Sequence, residues 1–272
     1  MGPAPSTVTL AKGITLSYAA QGDASGQVLL LLPGPTDSWR SYAPVLAHLT
    51  PRVRAIAVSQ RGHGDSDKPA VGYRVEDLAA DVVPLLDGLG IERAVLAGHS
   101  GSCLVARRVA IDHPGRVAGL VLEASPTTLR GDAGLVGFVE SIVSDLTDPI
   151  DETFARSFVA DTSTGELPPE VLDQLVGELL KVPARVWKET FLDLLTYDDV
   201  DDLDRITAPT LLIWGDADGL VGRDVQATLA ARISGAETLV YPGVGHTPRW
   251  EKPTRFADDV AAFVERMTGP QP

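Results

Sequence analysis

The sequence predicts an α/β protein with a mostly parallel, doubly wound sheet and a helical segment inserted late in the chain. Short apolar runs alternate with amphipathic stretches, which is typical of successive βα units. Some runs, such as Val28 to Leu32, are apolar without interruption, as expected for strands that are covered on both faces. Between residues 127 and 205 this alternation stops and only helical patterns remain.

The first half of the chain supplies most of the predicted strands. Lys12-Gly13 separates two short strand-like runs, Val8 to Leu10 and Ile14 to Tyr18, and this predicts an opening hairpin. The strands that follow are predicted at Val28 to Leu32, Val53 to Val58, Arg93 to Ala97 and Val117 to Leu122, with helices at Ser38 to Leu49, Val75 to Leu89 and Leu104 to Ile111. Pro84 should kink the second of these helices or mark its first regular turn.

The segment from Thr127 to Arg205 is predicted to be a helical cap. Its helical patterns run from Leu135 to Leu146, Asp151 to Val159, Pro169 to Lys181 and Ala184 to Leu195. The alternation then resumes with strands at Thr210 to Trp214 and Thr238 to Tyr241 and helices at Gly222 to Ile233 and Thr254 to Met267. We therefore expect an α/β core of residues 1–126 and 206–272 and a cap of residues 127–205.

Composition and charge exclude several classes of function. The formal charge of −14 argues against nucleic acid or an anionic membrane as partner, because both require a basic face. Cys103 is the single cysteine, so an intrachain disulfide is excluded and a cysteine zinc site is not expected. The acidic run from Asp198 to Asp204 is interpreted as a solvated linker and helix start rather than a metal site. The start of the chain lacks the pattern of a signal peptide and no apolar run approaches a membrane span, so we expect a cytoplasmic protein.

The residues Gly98-His99-Ser100-Gly101-Ser102 lie between a predicted strand and a predicted helix. A serine in this context, with small residues two positions before and after it, is typical of a nucleophile elbow. Such a turn holds its serine in a strained backbone conformation with the hydroxyl exposed at the carboxyl end of the sheet. Ser100 is therefore the candidate nucleophile.

A serine hydroxyl needs a neighbouring base, and that base needs an acid to orient it. Of the five histidines, only His246 occupies a loop directly after a predicted strand; the positions of His48, His63, His99 and His113 indicate structural roles. The carboxyl ends of parallel strands meet at one edge of the sheet, which would bring His246 near the elbow.

The acid is expected from another strand end. Asp218 is favoured over Asp216, because an aspartate directly after a strand often caps a turn. Glu123, at the end of the strand after the elbow helix, stays open as an alternative acid.

The chain order Ser100, Asp218, His246 resembles that of the α/β-hydrolase family. Further segments are similar to that family's oxyanion, arginine-glycine, acid and histidine loops; they are Leu31 to Pro35, Gln60 to Pro69, Leu212 to Asp218 and Gly245 to Pro253. The likeness covers about residues 8–126 and 206–267. It implies the α/β-hydrolase fold and says little of the substrate.

The sequence departs from the family pattern at two places. Ser102 stands where glycine is usual in the elbow, and Pro33 stands where histidine usually precedes Gly34. The next residue normally donates its N–H to the oxyanion, but Pro35 has none. Gly101 N–H should remain as one donor. We expect a rearranged oxyanion hole, with the second donor from the Pro35-Thr36 loop, by Thr36 N–H or hydroxyl, or from Gly34 N–H.

The resemblance implies a serine hydrolase that acts on a small or medium, largely apolar carboxylic ester or lactone. No metal or organic cofactor is expected. The pocket is predicted to include Trp187 in the cap, Leu220 and Val221 in the acid loop, and Val244 in the histidine loop. Carbon–carbon bond hydrolases and cofactor-free perhydrolases use the same triad and stay open, as does a non-catalytic receptor of the same fold. Dehalogenases and epoxide hydrolases are disfavoured, because they have aspartate where Ser100 stands.

Overall fold

The computed structural model describes residues 3–267, in which eight strands form one sheet. The strands are β1 Pro5–Thr9, β2 Thr15–Gln21, β3 Gln27–Leu32, β4 Val53–Val58, β5 Ala94–His99, β6 Val117–Glu123, β7 Thr210–Gly215 and β8 Glu237–Tyr241. Their order in the sheet is β1-β2-β4-β3-β5-β6-β7-β8. β2 is antiparallel to both β1 and β4, and every other neighbouring pair is parallel. The predicted mostly parallel sheet is confirmed.

The helices cover both faces of this sheet. They are α1 Ala43–Leu46, α2 Val75–Gly88, α3 Ser102–Asp112, α4 Ala133–Ser141, α5 Glu152–Ala160, α6 Pro169–Leu179, α7 Ala184–Leu194, α8 Arg223–Arg232, α9 Pro248–Glu251 and α10 Pro253–Arg266. No helix between residues 3 and 267 is long and apolar enough to cross a lipid bilayer.

Two predicted helices differ from the observed ones, whereas α2 matches its predicted bounds to within one residue. The helix predicted from Ser38 to Leu49 is a 3₁₀ turn, Trp39–Tyr42, followed by the short α1. Pro44 explains the break, because it has no N–H to continue an earlier α-helix and is favoured in a first turn, where that N–H would have no partner in the helix. α2 runs through Pro84, so this proline does not mark its first turn. α4 stops at Ser141 and gives way to a 3₁₀ turn, Val143–Asp145.

The core lies on both sides of the sheet because alternate residues of each strand point to opposite faces. In β3, Leu30 and Leu32 belong to the larger cluster, with α2, α3 and the helices that follow β6. Leu29 and Leu31 belong to the smaller cluster, with α1 and α10. This double burial is the reason for the uninterrupted apolar runs in the sequence.

The segment between β6 and β7 contains α4 to α7 and, within the described residues, no strand of the sheet. Arg107 of α3 holds both of its ends. The guanidinium is fully buried, donates to Pro126 O (2.8 Å) and Thr127 O (2.9 Å), and forms an ion pair with Asp199. Asp199 is thus a buried ion-pair partner, and the interpretation of the acidic run as solvated linker is wrong at this residue. The cap boundaries at residues 127 and 205 stay a prediction.

Candidate active site

The turn after β5 has the strained geometry of an elbow. Ser100 has φ of 51°, in the left-handed region, and its N–H donates to Glu123 O of β6 (2.9 Å). A Cβ on Gly98 would lie 2.6 Å from Ser102 O and 2.9 Å from Cys103 Cα, so the turn requires glycine there. The local sequence therefore forces the Ser100 side chain out at the carboxyl edge of the sheet.

Ser102 fits the elbow and also bonds to the loop after β3. Its hydroxyl donates to Pro33 O (2.6 Å) and accepts from Gln60 Nε2 (2.9 Å). Glycine, which the family pattern has here, could not make these bonds. This departure from the pattern therefore connects the start of α3 to the candidate oxyanion loop.

Ser100, His246 and Asp218 form one chain of hydrogen bonds. The distance from Ser100 Oγ to His246 Nε2 is 2.9 Å, and that from His246 Nδ1 to Asp218 Oδ2 is also 2.9 Å. Asp218 Oδ1 accepts from the N–H groups of Leu220 (2.8 Å) and Val221 (3.0 Å). Because a carboxylate only accepts, Nδ1 carries the ring proton and Nε2 is left to accept the serine proton.

The other two carboxylates considered for this role lie elsewhere. Asp216 Oδ1 accepts from Gly243 N (2.6 Å) and so stabilises a turn. Glu123 is fully buried, and its two oxygens accept from Arg249 N (2.9 Å) and Arg249 Nη1 (3.4 Å). The alternative in which Glu123 orients the imidazole is wrong, because Arg249 occupies this carboxylate and Asp218 occupies Nδ1.

Two contacts hold the backbone of the His246 loop. His246 N donates to Thr162 O (3.1 Å), which lies just after α5. His99 Nε2 lies 3.0 Å from His246 O, and the two rings meet edge to face at 4.9 Å. Burial lowers the pKa of His99 well below its usual value, so the ring is neutral and donates from Nε2. The sequence indicated a structural role for His99 but not this partner.

Thr36 is turned away from the candidate oxyanion site. Its φ is 73°, and its N–H donates to His63 Nε2 (3.1 Å). Burial lowers the pKa of His63 to about 4, so the ring stays neutral and accepts this bond. The Thr36 hydroxyl is buried and has no hydrogen-bond partner within residues 3–267. The prediction of Thr36 N–H as an oxyanion donor is wrong, because that group already bonds to His63.

Gly101 N–H and Gly34 N–H are left as candidate donors. Neither N–H makes a hydrogen bond to another residue in the described part of the chain. Gly101 lies at the N-terminus of α3, where the helix dipole favours negative charge. Pro35 contributes only its ring, which packs 2.8 Å from the position of a Cβ on Gly101.

A cavity of about 540 Å³ opens over Ser100 and His246. Its apolar wall comes from the helices between β6 and β7, with Leu135 and Phe138 of α4, Phe158 and Val159 of α5, and Phe191 and Leu194 of α7. Its charged side chains are Asp37, Asp132 and Asp161, and among the described residues no lysine or arginine lines it. The cavity therefore offers an apolar surface and negative charge.

The predicted pocket residues divide into two groups. Leu220 and Val221 line the cavity, as does Trp250. Trp187 is fully buried behind the wall and stacks on Phe191 (5.5 Å between ring centres, 18° between planes). Val244 is buried in the core beside β7 and also lies outside the lining. The phenylalanines of α4, α5 and α7 were missed, and the amphipathic pattern of those helices was the available signal.

No group of three or more histidine, cysteine or acidic side chains within residues 3–267 is arranged to hold a metal ion. Cys103 is buried, and its pKa is raised by burial to about 12.

Comparison with known proteins agrees with this architecture. The model of the alpha/beta hydrolase fold family matches residues 27–253. A non-heme chloroperoxidase of Streptomyces lividans is 29% identical over 280 residues, which covers 95% of this chain and 99% of the relative. A 2-(acetamidomethylene)succinate hydrolase of Mesorhizobium japonicum is 26% identical, with 93% and 92% covered. The structure of an esterase from Rhodococcus superimposes with a TM-score of 0.82 at 28% identity, with 97% and 99% covered.

Proposed function

Since the chain belongs to the α/β-hydrolase family, we propose that it is a serine hydrolase that cleaves a small or medium, largely apolar carboxylic ester or lactone. The observation that carries this proposal is the continuous hydrogen-bond chain from Ser100 through His246 to Asp218. Such a chain makes an alcohol nucleophilic at neutral pH without a metal.

The proposed reaction has two steps. Ser100 Oγ attacks the carbonyl carbon while His246 Nε2 takes the hydroxyl proton, and Asp218 stabilises the resulting imidazolium. The tetrahedral oxyanion is held by Gly101 N–H, with Gly34 N–H as the available second donor. The imidazolium protonates the leaving alcohol, and the acyl group stays on Ser100. His246 then takes a proton from water, the hydroxide attacks the acyl carbon, and the carboxylic acid leaves as Ser100 regains its proton.

The cavity supports the choice of substrate class. Its volume of about 540 Å³ is in the range of small-molecule sites. Its phenylalanine and leucine side chains favour an apolar acyl or alkyl group, and its aspartates disfavour a carboxylate on the substrate.

A panel of p-nitrophenyl esters and simple lactones tests the proposal. We expect Ser100→Ala to lose about 10⁴-fold or more in kcat, because the nucleophile is gone. Ser141→Ala, an exposed serine at the end of α4, is the matched control and should keep its activity. Equal turnover by wild type and Ser100→Ala would contradict the proposal, and ligand binding without turnover in either protein would favour the receptor alternative.

A perhydrolase is the second candidate, and the full-length similarity to a protein named as a non-heme chloroperoxidase favours it. In that reaction hydrogen peroxide replaces water in the second step, and the product is a peracid. The measurement is peracid formation from a carboxylic acid or ester plus peroxide. A carbon–carbon bond hydrolase stays open on the same triad. The similarity to the 2-(acetamidomethylene)succinate hydrolase gives little support to this alternative. A succinate compound carries carboxylates, which the aspartates of this cavity would repel.

A further inference from the structure

Arg249 lies three residues after His246, in α9, and its side chain is fully buried. It bonds to three side chains on two other segments of the chain. Its Nη2 donates to Asp37 Oδ2 (2.7 Å) and its Nε donates to Ser41 Oγ (3.0 Å). Its backbone N–H and Nη1 both donate to the Glu123 carboxylate (2.9 and 3.4 Å). One guanidinium group therefore joins chain segments that are far apart in sequence.

Both of these segments carry parts of the proposed active site, and Arg249 itself lies three residues after the candidate base, His246. Asp37 closes the loop of Gly34 and Pro35, and its N–H donates to Gly34 O (3.1 Å). Glu123 ends β6, and its carbonyl accepts from the N–H of the nucleophile Ser100. Movement of Arg249 would therefore change the position of the oxyanion loop relative to both Ser100 and His246.

The packing around the guanidinium leaves it little freedom. It stacks over the Trp250 ring at 4.4 Å, and Trp250 Nε1 donates to Ser41 O (2.9 Å). Trp250 also lines the cavity. The planar fork of arginine matches two carboxylates and a hydroxyl at once, which the single ammonium of lysine does not.

The cluster also has an excess of negative charge, with the two carboxylates of Asp37 and Glu123 around one guanidinium. Burial raises the pKa of both carboxyl groups, and the Arg249 charge opposes that shift. Both carboxylates interact electrostatically with His246. Asp218 bonds to the same imidazole, and the neutral ring of His99 meets it edge to face.

We propose that Arg249 is a positioning residue, which sets the oxyanion loop against the catalytic serine and histidine through Asp37 and Glu123. This inference rests on the proposed hydrolase function. It also accounts for how a loop with proline at position 35 keeps a usable oxyanion site. Arg249 fixes Asp37, and the hydrogen bond from Asp37 N–H to Gly34 O in turn fixes the orientation of Gly34.

The variant Arg249→Lys replaces the planar guanidinium by a single ammonium group and keeps the positive charge. We expect kcat to fall about 100-fold, because small misplacement of the oxyanion donors weakens the transition state, whereas KM changes about threefold or less. Arg107→Lys is the matched control, since Arg107 is equally buried and ion-paired, with Asp199, but holds the ends of the segment between β6 and β7. It should lower Tm comparably and keep kcat within about threefold. An equal loss of kcat in the two variants at equal Tm, or full kcat in Arg249→Lys, would overturn the proposal.

Two milder variants keep the test decisive if Arg249→Lys does not fold. Asp37→Asn weakens the link to the oxyanion loop by removing its negative charge, at a side chain that is 12% exposed, and should lower kcat about 10-fold. Glu123→Gln removes one negative charge near the imidazole, so the acidic limb of the kcat/KM profile should move to lower pH. Glu178→Gln is its control, because Glu178 is also a buried acid but pairs with Arg40 and Lys181. No change of kcat in Asp37→Asn and no shift in Glu123→Gln would refute the role of Arg249.

Failure of this inference is distinguishable from failure of the proposed function. If Ser100→Ala is as active as wild type, the hydrolase mechanism itself is wrong. If Ser100→Ala is inactive and Arg249→Lys is fully active, only the positioning role is wrong.

Discussion

Thr36 and Pro35 show how single residues change a site without changing the fold. Pro35 removes a backbone donor, and the left-handed φ of Thr36 directs its N–H to His63. Strained non-glycine residues of this kind collect at functional sites. The proposed oxyanion site then depends on Gly101, which the sequence analysis named as one donor, and on Gly34, which it named only as an alternative to Thr36.

The variant Thr36→Val tests whether the threonine hydroxyl takes part in catalysis. Valine has nearly the same shape and removes only the buried hydroxyl, which has no partner among the described residues. We expect kcat within about threefold of wild type, and stability unchanged or slightly higher, because an unpaired polar group is lost. A loss of about 100-fold in kcat would instead identify this hydroxyl as the second donor.

His63 predicts a pH dependence of stability. Burial lowers its folded-state pKa from 6.5 to about 4, so between these values the unfolded chain binds a proton that the folded chain does not. Above pH 6.5 His63 is neutral in both states and does not lower the free energy of unfolding. As the pH falls from 6.5 towards 4, protonation of the unfolded chain lowers the free energy of unfolding by about 1.4 kcal/mol per pH unit. Urea unfolding of wild type and His63→Gln at pH 7 and pH 5 measures it. The loss of unfolding free energy between these pH values should be about 2 kcal/mol smaller in the variant; identical losses would show that His63 does not titrate this way.

At the scale of elements, β5 and α3 pack so closely at the elbow that position 98 has no room for a side chain. A Cβ at Gly98 would overlap the backbone of Ser102 and Cys103, at the first turn of α3. Contacts with backbone cannot be relieved by a change of rotamer. The elbow would have to open, and Ser100 would move away from His246.

We therefore expect Gly98→Ala to lower kcat about 100-fold and to destabilise the fold. Gly177→Ala in α6 is the control, since nothing lies within 4 Å of its Cβ position. That change should stabilise the protein by about 0.5–1 kcal/mol, because alanine loses less entropy in a helix than glycine. Thermal melts and ester turnover measure both effects, and an active Gly98→Ala protein would argue against the strained turn as a requirement.

The strands could be predicted because their periodicity comes directly from burial on both faces of the sheet. Short helices were harder to predict from the sequence. α1 has four residues, and α9, also with four residues, was not predicted. Both have a proline at N1 or N2, so sequence periodicity is too short to reveal them and only the contacts of the folded chain sustain them.

For the whole molecule, the distribution of charge predicts selectivity among substrates. The chain carries a net charge of −14, and the cavity has aspartates without a lysine or arginine in its described lining. A substrate with a carboxylate would meet repulsion both at long range and within the cavity.

We expect kcat/KM for p-nitrophenyl butyrate to exceed that for the p-nitrophenyl ester of succinic acid, which carries a free carboxylate, by about 10-fold or more at low salt. Asp132→Asn should reduce this preference, because it removes a cavity charge and keeps an N-cap. Asp151→Asn is the matched control, as Asp151 caps α5 in the same way but lies outside the cavity lining. Equal rates on both esters would contradict charge selection.

The sequence by itself determined the parallel sheet, the helical segment before β7 and the place of each candidate triad residue at a strand end. These follow from local periodicity, turn chemistry and the rule that parallel strands end at one edge. Only the tertiary structure decided that Glu123 pairs with Arg249, that Thr36 bonds to His63 and that Trp187 lies behind the cavity wall. Those partners are distant in sequence, and which polar groups meet depends on how loops and helices pack, a property that no local pattern encodes.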